Sequence, residues 1–195
     1  MPNPVEFLKR LKRGSGPWTL LFMLLAWTSI ALAAEFEVRS AELYQRDGDW
    51  YLDADIDYRF SPTALEALDS GVPLTVEVEI EVLRPRRWIW DETLLTRDFR
   101  FQIRYHALAQ LFQVVNMDNG YQRNFGSRLA AIRALGNLRN FRVTNVNRLK
   151  YPGNYEARLR ASLDIEALPL PLRPVAYASP SWHMASDWYE WLPES

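Results

Sequence analysis

The 195-residue chain contains no cysteine and only two histidines, His106 and His183. The first absence excludes disulfides, thiol nucleophiles, thiolate metal sites and anchoring through a lipidated cysteine. The second leaves little material for histidine-based acid–base catalysis or a multi-histidine metal site. A Gly-x-Ser-x-Gly nucleophile elbow is also absent. These absences argue against an enzyme, and we assign no catalytic, metal-ligating or cofactor-binding residue.

The chain also lacks an apolar run of the length that crosses a membrane. Its uncharged, mostly apolar run begins at Pro17 and ends by Ala34, which is shorter than the roughly 20 residues that span the hydrocarbon core. The basic residues Lys9, Arg10, Lys12 and Arg13 precede the run, and Ala31-Leu32-Ala33 has the small-residue pattern of a cleavage site. We predict an export signal over residues 1–33 and a single periplasmic domain over residues 34–195. A retained membrane anchor is the alternative.

The predicted mature domain has no excess of positive charge. Removal of the leader leaves 19 basic and 23 acidic residues, a net charge of about −4. That sign is wrong for a nucleic-acid-binding protein, whose affinity comes mainly from neutralising phosphates. We therefore predict no nucleic-acid partner, and contact with the membrane only through the signal segment before cleavage.

The strongest pattern that is present is period-two alternation. From Trp50 to Phe60 apolar and polar residues alternate without exception, which predicts a half-buried strand. The preceding Asp47-Gly48 pair predicts a hairpin with the run Phe36–Tyr44. A slip in the alternation at Ser40-Ala41 predicts a β-bulge in the first strand.

A second hairpin is predicted from the alternating runs Leu74–Val82 and Phe99–His106. The register that places Glu77 opposite Arg104 pairs opposite charges on one face and apolar groups on the other. Further strands are predicted on both sides of Asp118-Asn119-Gly120, from Phe141, and from Tyr155 to Ile165.

Two short helices are predicted between the strands. Ser61 and Pro62 begin the first helix, and Ser127 caps the second. Leu129, Ile132 and Leu135 are predicted to share one face of the second helix, which ends at Gly136. Strands outnumber helices and hairpin turns join them. The fold class predicted is therefore mainly β, an antiparallel β-sandwich with two short connecting helices.

The C-terminal part has a different composition. Leu168–Pro174 contains three prolines in seven residues, which predicts an extended polyproline II segment. The aromatic tail that follows contains Trp182, Trp188 and Trp191. The segment either packs on its own domain under these tryptophans or docks into an aromatic groove of a partner.

Several segments in their order resemble an exported proteobacterial family known as domain of unknown function (DUF) 4390, whose members are labelled proline-rich signal-peptide proteins. The matching segments are Phe36–Val38, Tyr51–Asp55, Ala67-Leu68, Gly71–Leu74, Trp88–Asp91, Arg104–Leu108, Leu163–Ile165 and Leu168–Arg173. The resemblance covers nearly the whole mature chain and implies a periplasmic one-domain protein. It carries over no catalytic residue. The family's genes often lie beside a sensor histidine kinase, which makes such a kinase a candidate partner.

One aromatic and charged cluster is the candidate binding or interaction site. It consists of Trp88, Trp90, Asp91, Arg104 and His106. Tryptophan and arginine are enriched in interface hot spots, and aromatics beside charged groups are typical of ligand pockets. The alternative is that one tryptophan packs in the core while Arg104 pairs with Glu77.

A row of carboxylates, Asp53, Asp55 and Asp57, occupies one face of the second strand. Such a row can hold calcium, but the stretch lacks the glycine and terminal glutamate of an EF-hand loop. A solvated or arginine-paired face is the prediction, because polar faces of antiparallel sheets usually meet water.

The functional hypothesis from sequence is an uncharacterised periplasmic binding or protein-interaction module with a protein partner in the cell envelope. A membrane sensor histidine kinase is a candidate for that partner. The alternatives are an envelope hydrolase with an unidentified substrate and a purely structural envelope protein.

Overall fold

The structure, a computed structural model, describes residues 35–85, 91–145 and 155–193. Within these ranges the chain forms nine strands, three α-helices and one 3-10 turn. The strands are β1 (Phe36–Arg46), β2 (Asp49–Tyr58), β3 (Leu74–Arg84), β4 (Glu92–His106), β5 (Leu111–Asn116), β6 (Gln122–Phe125), β7 (Asn137–Asn145), β8 (Glu156–Leu163) and β9 (Tyr189–Trp191). The helices are α1 (Pro62–Asp69), α2 (Arg128–Gly136) and α3 (Arg173–Ala178), followed by the 3-10 turn Pro180–Trp182. The predicted export signal lies outside the described residues.

Two antiparallel sheets pack face to face. The smaller has the strand order β1-β2-β7 and the larger has the order β6-β5-β4-β3-β8-β9. The alternating residues of β2, from Trp50 to Tyr58, are buried against the fully buried row of β3 that includes Val76 and Ile80. The fold is thus a mainly-β sandwich, as the sequence predicts. No helix in these ranges has the length and apolar character needed to span a bilayer.

The first hairpin and its bulge are confirmed. β1 pairs with β2 around the turn at Asp47 and Gly48, both of which have positive φ. The register shifts between Val38 and Ser40, which is the position where the alternation slips in the sequence. Local pattern and turn chemistry therefore determine this part of the fold.

The predicted register of the β3–β4 hairpin is wrong by four residues. Glu77 lies opposite Arg100 rather than Arg104, and Glu79 lies opposite Asp98. The cations for the other glutamates come from β8 on the other side of β3, where Arg160 bonds Glu79 at 3.2 Å. A shift by an even number of residues keeps every side chain on its predicted face, so the core is unchanged.

The two connecting helices are present, and one predicted contact in the second is wrong. Ser61 caps α1 by accepting a hydrogen bond from the backbone N–H of Ala64, and Leu68 of that helix is fully buried. Ser127 caps α2, but Leu129 is 59% exposed. The buried residues of α2 are Ala131, Leu135 and Gly136, and the helix approaches the backbone of β2 most closely at Gly136.

The predicted polyproline II segment is also wrong. The N–H of Leu168 bonds the carbonyl of Ile165, and the N–H of Leu172 bonds the carbonyl of Pro169, so the segment is a series of turns. It leads directly into α3, with Pro174 in the first helical turn. The N–H groups in the first turn of a helix have no intrahelical acceptor, so proline loses nothing there by having no N–H. The prolines of this segment are therefore compatible with turns and a helix start.

Two tyrosines of the small sheet differ in how their hydroxyls are satisfied. Tyr58 is buried and its hydroxyl has no hydrogen-bond partner among the residues that the structure describes, and burial raises its pKa far above the usual range. The Tyr44 hydroxyl lies 3.1 Å from Asp53 Oδ1 and 3.0 Å from the side-chain oxygen of Asn140, and its single proton is donated to one of these two acceptors. Burial of the Tyr58 hydroxyl costs desolvation free energy that no hydrogen bond offsets, whereas hydrogen bonding offsets this cost for the Tyr44 hydroxyl.

We expect Tyr58→Phe to stabilise the protein by about 1 kcal/mol, because it removes a buried unpaired hydroxyl. Tyr44→Phe is the matched control, and it should destabilise the protein by about 1 kcal/mol through loss of the hydrogen bond that its hydroxyl donates. Urea unfolding followed by circular dichroism measures both changes. A loss of stability for Tyr58→Phe as large as that for Tyr44→Phe would show that its hydroxyl is satisfied in solution.

Candidate functional site

The structure does not bring the described members of the predicted cluster together. Asp91 is exposed just before β4, while Arg104 and His106 lie at the other end of that strand. Roughly 40 Å of extended chain separates Asp91 from Arg104. Trp88 and Trp90 lie outside the described residues.

The described cluster residues have polar neighbours on their own sheet. Arg104 donates to the side-chain oxygen of Gln102 at 3.0 Å, so its alternative pairing with Glu77 is wrong. His106 Nε2 lies 3.2 Å from Gln113 Oε1. Neither residue lines a described cavity.

The carboxylates of the row on β2 are paired with hydrogen-bond donors. Pairing with arginine is one of the two arrangements that the sequence predicts for this face. Asp55 accepts two 2.9 Å bonds from Arg139. Asp57 accepts from Arg39 at 2.6 Å and from Arg59 at 3.0 Å. Within the described ranges no group of three His, Asp or Glu side chains is placed to hold a metal ion.

A cleft of about 670 Å³ opens between the two sheets at the β7 side of the sandwich. We call it the inter-sheet cleft. One wall is formed by the inner faces of β4, β5 and β6 together with the turn after β5, the other by residues 137–142 of β7, and the end of α2 closes part of it. Its volume lies in the range of ordinary ligand pockets.

The inter-sheet cleft exists because the two sheets differ in width. The small sheet ends at β7, whereas the large sheet continues past β4 to β5 and β6. Those two strands therefore extend beyond the small sheet and leave part of their inner face uncovered. Val114 on β5 is only partly buried there, and Arg123 on β6 is exposed.

β7 presents its edge to the cleft. Six consecutive residues, 137–142, line it. A strand that showed one face would contribute every second residue, since successive side chains point to opposite sides. β7 is also the last strand of its sheet, so backbone groups on its outer edge are without a strand partner in the described structure.

A β-bulge interrupts this edge strand near its middle. Leu52 faces Phe141 and Ala54 faces Leu138, so Arg139 and Asn140 together stand opposite one residue of β2. Asn140 has a φ of +55°, and its N–H donates to Asp53 at 2.7 Å. The bulge blunts the edge, which is how proteins limit uncontrolled strand pairing.

Aromatic rings form the apolar part of the cleft. Phe141 of β7 meets Phe99 and Phe101 of β4 edge to face, with ring centroids 5.7 and 5.2 Å apart. Phe99 and Phe101 are buried, whereas Phe141 is half-buried and faces the opening. An apolar ligand group can therefore contact Phe141 without displacing the core.

Two arginines of the large sheet stand on its inner face. Arg97 pairs with the fully buried Ile80, and Arg123 pairs with Val114, so both point to the side that carries the core. Their guanidinium groups lie over Phe99 and Phe125, at 5.6 and 5.1 Å from the ring centroids. Within the described ranges neither guanidinium group has an ion pair or a hydrogen bond.

The arginines on the opposite wall are already paired. Arg139 binds Asp55, and Arg142 binds Asp49 at 2.8 Å. The positive charge that is not neutralised therefore lies on the wall formed by β4 and β6. This distribution distinguishes the two walls of the inter-sheet cleft.

Sequence reasoning missed the cleft, although one of its residues leaves a signal. Arg97 falls in the apolar phase of β4, between Leu95 and Phe99, where every second residue otherwise faces the core. A charge in the apolar phase indicates an uncovered stretch of inner face. The opposite wall has no comparable signal, because the position of β7 depends on long-range packing.

The fold and the cleft define a mainly-β sandwich domain with an open cleft between its two sheets. The chain belongs to the family described as "Domain of unknown function (DUF4390)", which matches residues 33–192. Comparisons with curated proteins and with solved structures gave no match.

Proposed function

We propose that the chain is an exported binding module of the cell envelope that holds an extended segment of a protein partner in the inter-sheet cleft. The observation that carries this proposal is the edge-on placement of β7, with six consecutive residues along the cleft. Extended peptides bind sheet edges through backbone hydrogen bonds, and adjacent pockets recognise alternate side chains.

The residues around the edge support an extended protein segment as the ligand. Phe141 offers a half-buried ring, and Tyr121 on the opposite side is 66% exposed. Tyrosine is one of the residue types enriched among the hot spots of protein interfaces. The bulge at Asn140 limits pairing to short stretches of β7, which favours a reversible partner.

The location and partner predicted from sequence remain proposals. In the proposed periplasmic location, the cleft would be accessible to extended segments of other envelope proteins. A membrane sensor histidine kinase is one candidate source of such a segment. Arg104 and His106 have no role in this proposal, because they do not line the cleft.

Photo-crosslinking in the native host tests the proposal. We expect p-benzoylphenylalanine in place of Tyr121 to give a discrete adduct in the cell-envelope material, either periplasmic or membrane, because that position lines the cleft and is exposed. Leu170, which is 73% exposed outside the cleft, is the matched control position. Adding Phe141→Ala to the Tyr121 chain should remove most of the adduct. Equal adducts from both positions, or none from Tyr121, would contradict the proposal.

A further inference from the structure

We infer that the segment held in the inter-sheet cleft is acidic, with carboxylates that pair with Arg97 and Arg123. This inference rests on the function proposed above and specifies the chemistry of its partner. It follows from the charge, the stacking and the spacing of these two arginines.

The wall formed by β4, β5, β6 and the turn after β5 carries a net positive charge, because Arg97 and Arg123 outnumber Asp118, the one carboxylate among the residues that line the cleft. Arginine is rare on the core-facing side of a sheet unless it reaches water or a counter-ion. Arg139 and Arg142 on the facing wall have Asp55 and Asp49 as partners, whereas Arg97 and Arg123 have none within the described ranges. The whole chain carries a net charge of −1, so this wall differs in sign from the rest of the protein. Charge complementarity favours an anionic occupant.

The stacking of the two guanidinium groups prepares them for carboxylates. A guanidinium that lies over an aromatic ring is held in place by cation–π attraction, and its N–H groups point outward in the plane of the fork. The guanidinium carbon of Arg97 lies 5.6 Å from the centroid of the Phe99 ring, and that of Arg123 lies 5.1 Å from the centroid of the Phe125 ring. Such a fork matches the two oxygens of a carboxylate.

The spacing of the two arginines fits an extended peptide. Arg123 lies across β5 from Ile103, because Val114 pairs with both residues. Six residues of β4 separate Arg97 from Ile103, which corresponds to roughly 20 Å of strand. A single small anion cannot meet both arginines at that separation. An extended segment can do so with carboxylates about four to six residues apart.

The apolar surface between the arginines indicates the rest of the segment. Phe99, Phe101 and Val114 lie along one wall and Phe141 along the other. Side chains of an extended peptide alternate between two faces. Apolar residues between the two acidic positions would contact these rings, while the peptide backbone lies along β7.

Selection from a phage-displayed library of random 12-residue peptides tests the inference on the chain from Ala34 onward. We expect the enriched peptides to carry two acidic residues about four to six positions apart with apolar residues between them. A synthetic peptide of that sequence should bind Arg97→Glu and Arg123→Glu at least about tenfold more weakly than the unmodified protein. Arg133→Glu on the exposed side of α2 carries the same charge change, lies outside the cleft, and should bind normally.

A charge swap separates direct pairing from loss of folding. Lysine in place of one acidic residue of the peptide should restore binding to Arg97→Glu or to Arg123→Glu, but not to both. Circular dichroism of each variant confirms that the fold is intact. Two such peptides exist, one for each acidic position. If neither of them restores binding to either variant, the inference is overturned.

Three further outcomes would overturn it. The first is that the enriched peptides have no acidic residues and that their binding depends on Phe141 but not on Arg97. That result would contradict the inference but agree with the proposed binding in the cleft. Binding that neither Phe141→Ala nor Arg97→Glu alters would contradict the proposed function as well. Binding of laurate in the absence of any enriched peptide would identify the occupant as an anionic amphiphile instead of a protein segment.

Discussion

Removal of residues 181–195 should abolish cooperative folding of the domain. These residues include Trp182 and Met184, which are buried in the core cluster. Loss of a buried tryptophan or methionine side chain each costs roughly 2–5 kcal/mol, and a typical domain has only about 5–15 kcal/mol of stability in total. We therefore expect the shortened chain to lose its thermal transition.

The same residues also cover the edge of β8. β9 pairs with β8, and the Ser186 hydroxyl accepts a hydrogen bond from the N–H of Ala161 at 3.0 Å. The carbonyl of Met184 accepts from Leu163 at 2.8 Å. Without these partners an eight-residue edge strand would be open to pairing with other chains, so the shortened protein should also aggregate.

Thermal melting followed by circular dichroism measures the effect. Leu192→Ala is the control, because Leu192 is exposed and its replacement should change stability by less than about 0.5 kcal/mol. A shortened chain that melts cooperatively at the normal temperature would show that the tail is free to dock elsewhere. That result would support the alternative that the Leu168–Pro174 segment docks into an aromatic groove of a partner.

Gly136→Ala should destabilise the protein by about 3 kcal/mol, because α2 contacts the backbone of β2 at this position. A Cβ atom on Gly136 would lie 1.9 Å from the carbonyl oxygen of Ile56. Backbone atoms cannot move aside as the end of a flexible side chain does, so α2 must shift. Chemical unfolding in urea measures the loss of stability.

The shift would also reach the inter-sheet cleft. β7 begins at Asn137, directly after Gly136, and Asn137 pairs with Asp55 of β2. Gly126→Ala is the matched control, since a Cβ atom there meets nothing within 4 Å, and it should leave stability within about 0.5 kcal/mol. Equal stability for the two variants would mean that α2 does not pack closely on β2.

Local features of the fold are predictable from the sequence because neighbouring residues determine them. The Asp47-Gly48 turn, the bulge at Ser40 and the cap at Ser61 each depend on a few consecutive residues. Alternation in β2 likewise identifies its buried face, since one side of that strand meets the core.

Features that depend on a third strand are not predictable in the same way. Glu79 and Glu81 obtain their cations from β8, which is far from β3 in the sequence. Pairing of opposite charges within the β3–β4 hairpin alone therefore predicts a wrong register. The polyproline II prediction for Leu168–Pro174 is wrong for a related reason. Proline is compatible with both an extended segment and a helix start.

The candidate site illustrates the same limit. Composition favours a site that combines Asp91 with Arg104 and His106, but Asp91 lies before the start of β4 and the other two lie at its opposite end. The inter-sheet cleft arises instead from the unequal widths of two sheets, and its walls come from β4 to β7. Only the charge at Arg97 in an apolar phase indicated it.

The most direct measurement of the central claim is to digest the adduct formed from position 121 and sequence the attached peptide. Binding of an extended segment along β7 predicts one contiguous stretch of one partner, attached only while the Phe141 ring is present. Unrelated peptides from many proteins, or attachment that persists in the Phe141→Ala chain, would contradict the claim that this cleft is the binding site.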